Sequence, residues 1–346
     1  MNILITGGSG FIGSHLVCSL LKNTTHKIFN VDKLGYASDS TNIDRAIEYL
    51  NITDENRYNF LQIDLSDHQA VQKSIKKVDP DLIIHLAAES HVDKSITSPK
   101  NFIYSNIVGT FNLIDCCKTH WENLDIKRKD KFKFHHVSTD EVFGELGDNG
   151  KFNESSAYAP RSPYSASKAA SDHLVLSWFY TYGFPVVISN CCNNYGPWQY
   201  PEKLIPISIY RALNNESINI YGNGKNVREW LHVEDHIKAL SLIAFEAPIG
   251  ETYCIGSGIE KTNEEIVNSI CELLNKMKPK KDSYNKLIRY TKDRMGHDYR
   301  YSINSKKIQN DLQWSSSYSF DEGMKDTVSW YIKNQTWCEE CFLKIN

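Results

Sequence analysis

Apolar and polar positions in the first half of the chain follow a regular order. Short apolar runs occur at residues 2–6 (NILIT), 27–32 (KIFNVD), 58–64 (YNFLQID), 81–86 (DLIIHL), 131–137 and 186–190 (VVISN). Between several of them, at 67–77, 100–119 and 164–181, apolar residues recur at helical spacing. Runs this short, bounded by turn residues, predict buried strands, and the three-and-four spacing predicts amphipathic helices. Strand alternating with helix predicts a parallel, doubly wound sheet covered on both faces. After residue 195 the elements shorten and glycines punctuate them, as in YGNGK at 221–225 and IGSGI at 255–259. Helices are predicted there at 203–214, 234–246, 263–277 and 320–335. The last carries Phe320, Met324, Val328, Tyr331 and Ile332 at helical spacing.

The polar motifs change the picture, because each falls just after a strand's carboxyl end, where open α/β sheets take ligands. Gly7, Gly10 and Gly13 follow the first strand and open a helix. Glycine there allows a tight turn and lets backbone approach a pyrophosphate at the helix N-terminus. Asp32 ends the second strand, 25 residues after Gly7. A carboxylate at that point accepts from ribose hydroxyls and repels a 2'-phosphate, which favours NAD over NADP; Lys33, next to it, softens that discrimination. Asp64, after the third strand, suits either an adenine amino group or a helix cap. The fold expected is α/β: a Rossmann-type doubly wound parallel sheet over residues 1–195. A smaller mixed α/β substrate lobe is expected over 196–346, with some chain crossing back to the first domain.

The densest chemistry lies between Ser138 and Lys168. Thr139, Asp140 and Glu141 place a hydroxyl beside two adjacent carboxylic acids after the fifth apolar run. Tyr164 precedes Lys168 by four residues, with Pro160 and Pro163 upstream. Proline fits the first turn of a helix, and a spacing of four puts tyrosine and lysine on one face. An ammonium beside a phenol favours the phenolate. Bringing a phenol from about 10 to about 7 takes roughly 4 kcal/mol, which Lys168 and a positively charged cofactor are expected to supply. A tunable base and an acid pair suit oxidation and elimination on one substrate.

Composition narrows the classes. The chain has 346 residues, 41% apolar and 23% charged, with a net charge of −3, which gives no general attraction for nucleic acid or membrane. Basic runs at 127–133 and 276–281 read as solvated loops. No apolar run approaches ~18 residues, so no transmembrane helix is expected, and no signal peptide is read. The nine cysteines are scattered, which suits a reducing, cytoplasmic compartment. Cys338 and Cys341 form a lone CxxC in an expected terminal helix. Neither they nor the pairs His85/His91 and His232/His236 match a metal-ligand pattern, and no metal is expected.

These motifs resemble the extended short-chain dehydrogenase/reductase family, and within it the nucleotide-sugar 4,6-dehydratases acting on dTDP-glucose or UDP-glucose. The resemblance runs through nearly the whole chain: TGGSGFIGS, VDKLGYA, HLAAESHVDKSI, HVSTDEVFGEL, SPYSASKAASDHLV, NCCNNYGPWQYPEKLIP, VREWLHVEDH, ETYCIG and DRMGHDYRY. The Thr-Asp-Glu run is its most specific part, since related 4-epimerases usually lack the acid pair. The resemblance implies that Tyr164 takes the C4 hydroxyl proton and that Thr139 holds the same oxygen. Lys168 is then expected to bind the nicotinamide ribose, Glu141 to remove the C5 proton, and Asp140 to protonate the leaving C6 hydroxyl. It further implies NAD as a recycled cofactor, contacted by Gly7, Gly10, Phe11, Ile12, Gly13, Asp32, Lys33, Leu34, Gly35, Asp64, Leu65, Leu86, Ala87, Ala88, Ser90, Ser105, Tyr164, Lys168 and Asn194. For substrate it points to Ser90, Thr139, Asn193, Lys203, Leu204, Asn219, Tyr221, Arg228, Asn263, Arg294 and His297. Lys203, Arg228 and Arg294 suit a nucleoside diphosphate. Departures from the family pattern are Gly35, Met295, Asn219 and His232; the last two fall in the substrate lobe and leave the base, thymine or uracil, open. The helices at 100–119 and 164–181 resemble the pair that forms a homodimer interface in the family. Two other readings remain: a nucleotide-sugar 4-epimerase, and a non-catalytic NAD-binding regulator on the same fold.

Overall fold

The computed structural model describes residues 1–52 and 57–343. The strands in chain order are β1 (Asn2–Thr6), β2 (Lys27–Asp32), β3 (Tyr58–Gln62), β4 (Leu82–His85), β5 (Lys133–Thr139), β6 (Val186–Cys191), β7 (Asn193–Tyr195), β8 (Ile218–Tyr221), β9 (Val227–His232), β10 (Thr252–Ile255), β11 (Glu260–Thr262) and β12 (Ile288–Thr291). Seven of them form one sheet in the order β10-β6-β5-β4-β1-β2-β3, with every pairing parallel. The fully buried strands lie inside it: β4, β5 and β6 are buried along their whole length, β5 with two histidines and a lysine among its residues. β3, with its polar residues, takes an edge.

Alternate residues of each strand feed opposite faces. Ile3, Ile5 and Ile84 pack with Leu16 and Leu20 of the helix Phe11–Asn23 and with Ile237 and Leu240 of the helix Val233–Glu246. Leu4, Ile83 and Ile188 pack on the other side with Val71, Leu113 and Val175, from the helices His68–Val78, Gly109–Glu122 and Pro163–Tyr182. The winding reverses between β1 and β4, which leaves a crevice at their carboxyl ends.

A second core, built on Ile209, Trp230, Ile270, Met324 and Val328, holds the mixed sheet β11-β9-β7 and the pair β12-β8. The chain does not partition cleanly at residue 195. The helix Val233–Glu246 and β10 return to the first layer, where β10 pairs with β6. Ile303, Ile308, Leu312 and Trp314 join the same core.

β5 runs on to Thr139, so Ser138 and Thr139 are strand residues paired with Asn190 and Cys191. One element differs from expectation in a way that matters for the cleft. The helix expected over 100–119 is broken by a π turn, Ile103–Val108, before Gly109–Glu122; Ser105 lies in that turn. Among the described residues no helix is long and apolar enough to cross a membrane, and no group of three or more His, Cys, Asp or Glu residues gathers as a metal site.

Candidate active site

A cleft of about 570 Å³ opens along the carboxyl ends of the strands and continues under the second lobe. At one end is the glycine turn. Gly7 has φ +72°, and a Cβ on it would lie 2.7 Å from the Cα of Ala87, so the loops after β1 and β4 meet with no room for a side chain. A Cβ on Gly13 would lie 2.1 Å from the Gly7 carbonyl, so the helix Phe11–Asn23 packs directly on the turn. That is a backbone cradle suited to a pyrophosphate. Asp32 closes this end from β2. Its carboxylate accepts from the backbone N–H of Ser9 (3.1 Å) and Leu34 (2.8 Å) and from the Ser38 hydroxyl (3.0 Å).

Lys33 is turned away from Asp32: its ammonium donates to Glu89 Oε1 (2.6 Å) and the Ser105 hydroxyl (2.8 Å). Its charge is thereby matched, so it does little to soften discrimination against a 2'-phosphate. Asp64 accepts from the Ser66 N–H (2.8 Å), and the helix His68–Val78 is capped by Asp67, not by Asp64.

At the middle of the cleft β5 delivers Thr139, and a single 3-10 turn, Asp140–Phe143, follows it. The Glu141 N–H donates to the Thr139 hydroxyl (3.3 Å), which ties the Thr139 side chain to the backbone of the turn. The helix Pro163–Tyr182 brings Tyr164 and Lys168 alongside. Ser162 caps it reciprocally with Ser165, and Pro163 occupies the first turn.

The two acids stand in different fields. Burial pushes Asp140 well above the usual carboxylate range, and the nearby carboxylates of Glu141 and Glu229 push it further. Its Oδ2 is buried without a hydrogen-bond partner. Burial also raises Glu141, but Arg228, Arg294 and Lys203 pull it back. Both carboxyls stand above the usual range, and the three cations that offset burial at Glu141 make it the better suited of the two to act as the base.

The phenol departs from expectation. Burial raises Tyr164 well above its ordinary value, and Glu141 raises it further, against a smaller opposing effect of Thr139. The Lys168 ammonium donates to the Val137 carbonyl (2.9 Å).

Under the second lobe, Arg228 is buried over the Tyr301 ring, 4.4 Å from its centroid, and donates to the carbonyl of Asp298 (2.9 Å). Arg294 reaches Asp93 (3.4 Å), while its Nε is buried without a partner. The Lys203 ammonium donates to the Ser90 carbonyl (2.7 Å). His297 pairs with Asp293 (2.7 Å). The Asn193 Oδ1 is buried and unpartnered. The Asn194 side chain is already engaged, by His236 (2.9 Å) and the Cys192 carbonyl (2.9 Å).

Of the residues anticipated for cofactor, substrate and chemistry, Leu34 alone does not line the cleft. It has φ +56°, its side chain is exposed, and only its N–H points inward, to Asp32. His232 is also remote from the cleft: it caps the helix Val233–Glu246 and stacks on Tyr318 at 4.0 Å. It therefore has no direct contact with a base. The cleft also contains Ile63, Cys191, Glu202, Arg211 and Tyr301, which reading the sequence missed. Cys191, Glu202 and Tyr301 fall within NCCNNYGPWQYPEKLIP and DRMGHDYRY, where a motif made them findable; Ile63 and Arg211 fall outside them.

A profile of the GDP-mannose 4,6 dehydratase family matches residues 4–327. A dTDP-glucose 4,6-dehydratase from Neisseria meningitidis serogroup B is 47% identical over 340 residues, covering 97% of this chain and 94% of the relative. A solved dTDP-glucose 4,6-dehydratase from Streptomyces venezuelae, with NAD bound, superposes with a TM-score of 0.88 at 38% identity, covering 99% of this chain and 100% of that one. A UDP-glucose 4-epimerase from Thermotoga maritima, solved with UDP-glucose, is similar at a TM-score of 0.84 and 27% identity, covering 97% and 100%.

Proposed function

The chain belongs to the GDP-mannose 4,6 dehydratase family, nucleotide-sugar 4,6-dehydratases of the extended short-chain dehydrogenase/reductase type, and on that premise we propose that it converts dTDP-glucose, or UDP-glucose, to the nucleotide 4-keto-6-deoxyglucose and water. The glycine cradle, where a Cβ on Gly13 would strike the Gly7 carbonyl, and the strand-end carboxylate of Asp32 fit NAD. Held there, NAD would supply hydride-transfer chemistry between C4 and C6, with no net redox change. Tyr164 accepts the C4 hydroxyl proton. Because burial holds that phenol protonated in the protein alone, its activation draws on the positive charge of the oxidised nicotinamide, and Thr139 orients the C4 oxygen. Glu141 removes the C5 proton, acidified by the adjacent C4 ketone, and returns it to C5 when C6 is reduced. Asp140 gives its proton to the departing C6 oxygen, which leaves as water. Lys203, Arg228 and Arg294 hold the diphosphate.

The observation that carries this reading is the acid pair itself. An epimerase needs the tyrosine and the cofactor but has no use for one carboxyl held protonated beside another pulled back by three cations. The relatives named for dTDP-glucose favour thymine over uracil. Exposed Ile103, Tyr104, Phe111, Tyr180 and Tyr182 on the two central helices support a homodimer through that face, and nine free thiols support a reducing, cytoplasmic setting. The test is incubation of the purified protein with dTDP-glucose and UDP-glucose in parallel, followed by mass spectrometry. Loss of one water from either sugar nucleotide is expected. Recovery of the C4 epimer would favour the epimerase reading, and no conversion of either would leave only an NAD-binding protein.

A further inference from the structure

Behind Tyr164 and Lys168 lies a carboxylate that the reaction does not use. Asp172 follows Lys168 by one helical turn and is fully buried. Its Oδ1 accepts from His136 Nε2 (3.0 Å), and its Oδ2 accepts from the Ser138 hydroxyl (2.8 Å), the Tyr158 hydroxyl (3.0 Å) and Asn190 Nδ2 (3.2 Å). Donors from β5, β6 and the segment before the helix thus converge on one anion and keep it ionised. Burial alone would raise this group, and the His136 hydrogen bond together with the Lys168 charge turns the net direction downward.

Lys168 has the opposite problem. Its ammonium is buried and is hydrogen-bonded to a neutral carbonyl, that of Val137. Burial favours loss of its proton unless a negative charge faces it. The titratable groups around it are Asp172 on its own helix, His136 on β5, His85 on β4 and Cys191 on β6. Burial keeps both imidazoles neutral, with His136 brought down to about 4, and pushes the Cys191 thiol up to about 12. Of these groups, Asp172 is the one that carries charge.

We propose that Asp172 is a positioning residue for Lys168, the buried counter-charge that keeps its ammonium protonated beneath the cofactor, itself held by His136, Ser138, Tyr158 and Asn190. The proposal rests on the reading of Lys168 as a ligand of NAD. The test follows bound NAD in the purified holoprotein and in Asp172→Asn after desalting at a series of pH values from neutral to alkaline. Loss of the carboxylate is expected to move the pH of half-release downward by about one unit or more. The alkaline limb of turnover with dTDP-glucose is expected to move with it. Asp172→Ser removes the same charge with a smaller side chain and is expected to shift the release in the same direction, which decides the matter if Asp172→Asn does not fold, while Asp172→Glu keeps the charge and is expected to hold the native midpoint. Release midpoints unchanged in folded Asp172→Asn or Asp172→Ser, with NAD merely lowered at every pH, overturn the proposal. If the native protein retains NAD yet converts neither sugar nucleotide, the assigned reaction fails while the release midpoints still decide the role of Asp172.

Discussion

Replacing Asp140 by asparagine removes an acid from the reaction and relieves a burden on the fold, so activity and stability are expected to move in opposite directions. The exchange is nearly isosteric. Thr139 donates to Asp140 Oδ1 at 3.3 Å, and an amide oxygen accepts that bond as well, so the local geometry survives. Burial, Glu141 and Glu229 hold the native carboxyl well above its ordinary range. The folded protein therefore binds this proton more tightly than the unfolded chain does, and raising the pH favours unfolding until the folded group ionises. The penalty is absent below about pH 4, where the unfolded carboxyl is itself protonated. Above that it grows at up to about 1.4 kcal/mol per pH unit. At roughly 2 °C per kcal/mol for a chain of this length, the melting temperature of Asp140→Asn is expected to gain on the native protein by about 3 °C per unit at most. Turnover to the dehydrated product is expected to fall by about 10²- to 10⁴-fold, the usual worth of a general acid. Thermal melts of both NAD-bound proteins across pH 4–7, followed by circular dichroism, measure the first effect, and product analysis measures the second. Parallel stability curves would show Asp140 titrating like an ordinary carboxyl, and undiminished water loss would show that it is not the acid. Either result refutes the assignment.

Glu141→Gln is expected to leave C4 oxidation intact and to block proton removal at C5, so that absorbance of reduced cofactor builds up on mixing with dTDP-glucose while dehydrated product does not appear; product at the native rate would remove Glu141 from the mechanism. Tyr164→Phe is expected to lower turnover by about 10²-fold or more with NAD still bound, and loss of NAD in that variant would mark the tyrosine as structural. Gly13→Ala puts a methyl 2.1 Å from the Gly7 carbonyl; the forced shift is expected to destabilise the fold by about 1–3 kcal/mol and to strip NAD on gel filtration, and full NAD retention would show that the cradle tolerates a side chain.

Most of the large sheet is legible because its strands are buried on both faces and spell continuous apolar runs. β10 is not, for a physical reason. TYCI is four residues long, sits among glycines and lies in the half of the chain whose pattern points to a separate lobe, yet its register is set by β6. The break at Ile103–Val108 is equally silent, since a π turn shifts hydrogen bonds without changing apolar spacing enough to notice. Within the cleft, the glycine turn and Asp32 follow from chain position alone. The field at Tyr164 does not. Four-residue spacing correctly sets tyrosine and lysine on one helical face, but the Lys168 ammonium takes the Val137 carbonyl as partner, and that choice depends on β5 lying beneath it. The separate fates of Asp140 and Glu141 depend in the same way on arginines that arrive from the far end of the chain.

The return of β10 to the first sheet limits how this protein can breathe. Polypeptide shuttles back and forth between the two halves: out after β6, home through β10, out again to β12, and home once more at Ile303 to Trp314. A molecule sewn across its own seam has no lone hinge: any movement of one half against the other must bend several crossings of the chain at once.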